Sequence, residues 1–127
     1  MSRARLALGA AGEDAACAFL EARGYRIVER NARAGGVEID VVAARGGLLA
    51  IVEVKTRRGL RHGAAVEAVD ARKQARLARG AAAWLRERRA RPRRVRFDVI
   101  ACTPAPDGGF AVEHWEAAFE ASAGDRA

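Results

Sequence analysis

The stretch from Val37 to Arg58, VEIDVVAARGGLLAIVEVKTRR, decides the fold. Two β-rich runs, Glu38 to Ala44 and Leu48 to Thr56, flank the glycine pair Gly46-Gly47, a pattern that predicts a tight hairpin. Glu38 and Asp40 are two apart, as are Glu53 and Lys55, so in extended chain each pair projects from one face of its strand. Burying an unpaired charge is costly, so charges set among apolar residues call for ion pairs or a metal. With the hairpin closed at Gly46-Gly47, residues whose numbers sum to about 93 face one another. Asp40 then faces Glu53, and Glu38 faces Lys55.

Outward from this hairpin the pattern predicts a mixed α/β domain. A helix is expected over residues 10–23, with Ala16, Phe19 and Leu20 at helical spacing, Glu13 and Asp14 in its first turn, and Gly24 as its stop. Tyr25 to Val28 suggest a first strand entering a turn near Asn31. Beyond the hairpin, Gly59 to Ala65 reads as a loop and Val66 to Arg89 as a long helix ended by Pro92. Val95 to Ala101 is a strand, Phe110 to Trp115 a weaker last one. One domain is expected over residues 1–120, with a mobile tail over 121–127.

The chain has 127 residues, a net charge of +7 and an aromatic content of only 6%, so its core must rest on aliphatic side chains. Its charge is concentrated. From Ala71 to Arg96 eleven basic residues stand against one acid, a local +10 that leaves −3 for the rest. Such a belt is the footprint of a polyanion binder, or else a solvated helix face. Arg57, Arg58 and Arg61, with Arg72, Lys73, Arg76 and Arg79, are the candidate nucleic-acid contacts. His62 reads as a loop residue and His114 as structural. Cys17 and Cys102 are far apart and lack metal-ligand spacing, so both read as small buried hydrophobes. No apolar run approaches membrane-spanning length and no secretory leader is evident, which makes a cytoplasmic location the expectation.

Asp40 and Glu53 converging at a strand end would form a hard oxygen site suited to Mg²⁺ or Mn²⁺. Lys55 would be the catalytic cation beside it, and Glu13 a further ligand or general base reaching in from the first helix. The competing reading is a salt-bridged sheet face, with Glu38 paired to Lys55 and Asp40 to an arginine such as Arg57.

The wider pattern of residues 9 to 102 resembles the YraN-like family of small bacterial nuclease-like proteins. The resemblance rests on Gly12-Glu13, Gly24-Tyr25, Arg30-Asn31, Glu38-Ile39-Asp40, Val52 to Arg57, Glu67 to Val69, Lys73, Arg76, Leu77 and Arg96 to Val99. It implies a restriction-endonuclease-like fold, shared with archaeal Holliday-junction resolvases: a mixed central sheet flanked by helices. It also implies that Asp40, Glu53 and Lys55 are the members of a PD-(D/E)xK site, with Ile39 where the motif's name has proline. Glu13 is similar to the helix glutamate that completes such sites. The implied activity is divalent-metal-dependent cleavage of a phosphodiester in DNA or RNA, with endonucleolytic cleavage of DNA, branched or damaged DNA among the candidates, as the first reading; paired cuts across a junction would require a homodimer. The alternative is a module of the same fold that binds nucleic acid and recruits partners without useful turnover.

Overall fold

The computed structural model describes residues 2–58 and 69–120. In chain order its elements are α1 (Arg3–Ala22), β1 (Arg26–Ala34), β2 (Val37–Arg45), β3 (Leu48–Thr56), α2 (Ala71–Arg88), β4 (Arg94–Pro104) and β5 (Phe110–Phe119). The strands form one sheet in the order β1-β2-β3-β4-β5. Every neighbouring pair is antiparallel except β3 and β4, which are parallel. That exception follows from α2, because parallel neighbours need a crossover long enough to carry the chain back to the end where the first strand began. The result is an α/β fold of the restriction-endonuclease-like type, as the sequence suggested.

The two helices cover opposite faces. Ala50 and Val52 pack with Ala16, Cys17 and Leu20 of α1, while Leu49 and Ile51 pack with Ala78, Ala81 and Trp84 of α2. Alternate residues of β3 thus enter two different cores, which is why its first five residues, Leu48 to Val52, are apolar without a polar face. Each large aliphatic side chain buried this way contributes roughly 1.5–3 kcal/mol.

Several boundaries differ from the periodic reading. Helix α1 begins at Arg3, where the Ser2 hydroxyl accepts the Arg5 N–H at 3.2 Å, so Glu13 and Asp14 lie in mid-helix. Its first nine residues are almost all exposed and carry no apolar stripe for a sequence pattern to register. Helix α2 starts at Ala71 rather than Val66, capped by the Asp70 carboxylate accepting the Lys73 N–H at 2.9 Å. It ends at Arg89, whose left-handed φ of 54° stops it before Pro92 is reached. The expected loop from Gly59 to Ala65 and the tail over 121–127 lie outside the described residues.

Strand β1 does not turn at Asn31 but runs through it. Asn31 has a φ of 51°, in the left-handed region that asparagine tolerates better than most residues. This kink changes which way the strand's side chains point. Glu29 reaches α2, Arg30 and Asn31 both reach Glu13 on α1, and Ala32 and Ala34 return to the α2 side. At the other edge, β5 is longer than expected. Three of its residues, Glu116 to Ala118, stand opposite the single residue Asp98, with Ala117 at a φ of 50°.

Gly12 sets how closely α1 lies on the sheet, since a β-carbon there would stand 2.0 Å from the Thr56 hydroxyl oxygen. Gly12→Ala must therefore push α1 off β3, and a loss of about 1–3 kcal/mol in urea unfolding is expected, typical of overpacking. An unchanged midpoint would show that the helix seat is soft.

Candidate active site

Strands β2 and β3 pair with Arg45 opposite Leu48 through to Val41 opposite Val52, the register read from the sequence. One step further, at the open end of the hairpin, Asp40 and Glu53 stand across from each other. The ladder ends there because Asp40 replaces main chain with side chain: its Oδ2 accepts the Val54 N–H at 2.8 Å. Glu53 is only 7% exposed. It is compensated by two ammonium groups, Lys73 Nζ at 2.6 Å and Lys55 Nζ at 3.4 Å, both on Oε1. The carboxylates open onto a pocket of about 240 Å³ lined by Val37, Glu38, Asp40, Glu53, Lys73, Arg76 and Leu77.

The electrostatics follow from burial and crowding. Burial, together with the Glu53 charge, pushes the Asp40 carboxyl up to about 7, and the Val54 N–H only partly opposes them. Burial also pulls the Lys55 ammonium below the usual lysine range, with Lys73 adding to the effect. Burial acts on Lys73 in the same direction and is the largest single influence, but its hydrogen bonds to Glu53 and Lys55 and the Glu53 and Asp40 charges together outweigh it and raise its pKa above the usual range. The site therefore crowds two carboxyl groups together, and among the described residues the Lys55 and Lys73 ammonium groups both pair with Glu53. Asp40 and Glu53 would hold a divalent ion, whose charge would offset that crowding. The donor set suits Mg²⁺ or Mn²⁺, which keep several waters and need only one or two carboxylates. It does not suit an all-protein cage, since no group of three or more His, Cys, Asp or Glu among the described residues could hold a metal.

The model of the uncharacterised protein family UPF0102 matches residues 12–102. This chain belongs to UPF0102. A UPF0102 protein of Symbiobacterium thermophilum is 50% identical over 114 residues, covering 90% of this chain and 97% of its own length. One from Frankia alni is 47% identical over 117 residues, covering 92% and 98%, and one from Rhodococcus opacus 46% over 114, covering 90% and 97%. The resemblance to YraN-like proteins is thereby borne out. The UPF0102 match includes all four side chains of the Asp40, Glu53, Lys55 and Lys73 cluster. Its limits, Gly12 and Cys102, touch in space, with the Cys102 thiol donating to the Gly12 carbonyl oxygen at 3.4 Å.

Other singled-out residues fall variously. Glu13 is held beside the site, its Oε1 accepting from Arg30 Nε at 3.2 Å and Asn31 Nδ2 at 3.0 Å, and its charge helps raise Asp40. Arg76 lines the pocket, while Arg72, Arg79, Arg57 and Arg58 are exposed near it or along α2. Arg61 and His62 lie outside the described residues. The sheet-face ion pairs do not form as the competing reading had them: Glu38 meets Arg33 at 3.4 Å, and Lys55 meets Glu53.

Sequence reasoning missed a second charged cluster, beneath β5. Asp98 is fully buried and accepts from Arg96 at 2.7 and 2.8 Å, from the Ala117 N–H at 3.0 Å, and lies 2.8 Å from His114 Nε2. Arg96 also donates to the Tyr25 hydroxyl at 2.6 Å. Arg96 was counted in the basic belt, yet it is a core residue, and His114 is structural as expected. The signal was present: Arg96 and Asp98 are charges within an apolar strand, the same criterion that singled out Glu53 and Lys55.

Proposed function

We propose that this chain is a metal-dependent endonuclease that hydrolyses phosphodiester bonds in DNA. The observation that carries the reading is the meeting of Asp40 and Glu53 at the open end of a hairpin, in a pocket bordered by Lys73 and Arg76. Asp40 and Glu53 would hold Mg²⁺ or Mn²⁺, which when bound supplies Lewis-acid polarisation of the scissile phosphate. Lys55, partly buried and softened by its surroundings, can orient the attacking water or stabilise the developing oxyanion. Arg76 at the pocket and Arg57 and Arg58 beyond β3 would neutralise flanking phosphates.

The test is calorimetric Mn²⁺ binding to wild type and Asp40→Asn, combined with cleavage of linear, nicked and four-way-junction DNA. Binding is expected in wild type alone, and Asp40→Ala and Glu53→Ala are expected to lower the cleavage rate by about 100-fold or more, the scale of losing one charge-stabilising group. Cleavage that persists unchanged in both variants, or no Mn²⁺ heat in wild type, overturns the reading.

One observation favours a second reading, a nucleic-acid-binding module of the same fold without turnover. Glu53 already has an ammonium at 2.6 Å, so a metal must displace Lys73 or share the carboxylate with it. Salt-steep DNA binding without metal-dependent cleavage on any of the three substrates would decide for the module.

A further inference from the structure

We propose that α2 and the arginine-rich turn after it form a single track that holds duplex DNA from the pocket to the opposite end of the sheet. The inference rests on the nucleic-acid reading above and assigns that surface its extent and its substrate form. Arg72, Arg79 and Arg86 recur every seven residues, which keeps them within about 40° of one another on the helix and spaces them about 10.5 Å apart. All three are exposed, and Arg76, which lines the pocket, flanks the stripe at its start. At the far end the chain turns so that Arg93 and Arg94 both donate their main-chain N–H to the Gly47 carbonyl, at 2.8 and 3.2 Å. The turn is thus pinned to the closed end of the β2–β3 hairpin, with both side chains exposed.

These arginines differ from the ones that carboxylates already hold. Arg30, Arg33, Arg88 and Arg96 each meet a carboxylate within 4.0 Å, with the Arg88 guanidinium clamped on Glu29 at 2.9 Å. None of Arg72, Arg76, Arg79, Arg86, Arg93 and Arg94 meets one among the described residues. The four uncompensated guanidinium groups along α2 and the two on the turn pinned to the hairpin add up to a strongly cationic surface, and a phosphate backbone neutralises it with geometry their planar forks match.

The shape argues for a duplex. The 18 residues of α2 span about 27 Å, the rise of about eight base pairs, over which double-stranded DNA is a straight rod. A single strand would instead need aromatic platforms for its bases, and the one aromatic residue between Ala71 and Arg96, Trp84, is buried.

The experiment is fluorescence anisotropy of the full chain with 8-, 16- and 24-base-pair duplexes and a 24-nucleotide single strand, between 50 and 200 mM NaCl, with EDTA present. Wild type is expected to bind 16 base pairs more tightly than 8, and the duplex more tightly than the single strand. The R86A/R93A/R94A variant should weaken binding of the 16-base-pair duplex by tenfold or more and lower the slope of log affinity against log salt by about 2–3. The corresponding triple lysine variant should keep the slope, which separates lost charge from a disturbed turn. The proposal is overturned if the alanine variant keeps the wild-type slope, if the lysine variant loses as much as the alanine one, or if the single strand binds equally well. EDTA removes any metal chemistry, so the track can fail while cleavage stands, or stand while cleavage fails.

Discussion

Asp98→Ala is expected to lower the unfolding free energy by about 3–5 kcal/mol, the range for breaking a buried ion pair by removing one partner. The size follows from what the carboxylate touches. Without it the Arg96 guanidinium, 7% exposed, retains only Tyr25 and a distant contact with Glu116 at 3.6 Å. The Ala117 N–H loses its acceptor as well, and the bulge in β5 loses the group that fills it. Urea unfolding followed by circular dichroism measures the effect. The double variant Arg96→Met, Asp98→Leu should recover part of the loss, because an apolar pair leaves no buried charge unpaired. A loss below about 1 kcal/mol for the single variant would mean that water reaches the cluster in place of the carboxylate.

The metal-free chain is expected to lose stability as pH rises from about 4 to 7, opposite to the usual carboxylate contribution. Asp40 in the folded chain titrates near 7, against an ordinary 3.8. Within that window the folded chain holds a proton that the unfolded chain has released, so stability falls as pH increases. A difference of about three pH units corresponds to an upper bound of about 4 kcal/mol, and a few kcal/mol is the expectation within a cluster of interacting charges. Asp40→Asn carries no titrating proton, so the difference in stability between it and wild type should grow from pH 5 to pH 8. Added Mg²⁺ should raise the wild-type melting temperature more at pH 8 than at pH 5, since the metal must compete with that proton. Parallel pH profiles for the two proteins would refute the assignment.

The hairpin and its register were legible because they depend on local quantities. The Gly46-Gly47 turn fixes which residues face one another, and residue period fixes the face, so the pairing of Val41 with Val52 and the approach of Asp40 to Glu53 could be written from residue numbers. Lys73 was legible only as one of many cations in a basic helix. Its place on Glu53 depends on where the Asp70 cap starts α2 and how the crossover seats that helix, both tertiary outcomes. Charge counting also overstated the belt, since Arg88 is clamped to Glu29 and Arg96 is buried on Asp98. The extended α1 was missed because a helix of arginine, alanine and leucine can form without burying a face that leaves a periodic trace.

The two left-handed, non-glycine residues found within strands, Asn31 and Ala117, lie in β1 and β5, the outermost strands of the sheet. A straight free edge is a template on which a second chain can add a strand, and bulged or kinked edges remove that template. Both margins of this sheet are interrupted, β1 near its middle and β5 close to its end, and β1 is further studded with exposed arginines. Two copies meeting over a branched substrate would therefore join through helices or loops rather than through a continuous ten-stranded sheet. The same interruptions guard a newly made chain against edge-to-edge aggregation.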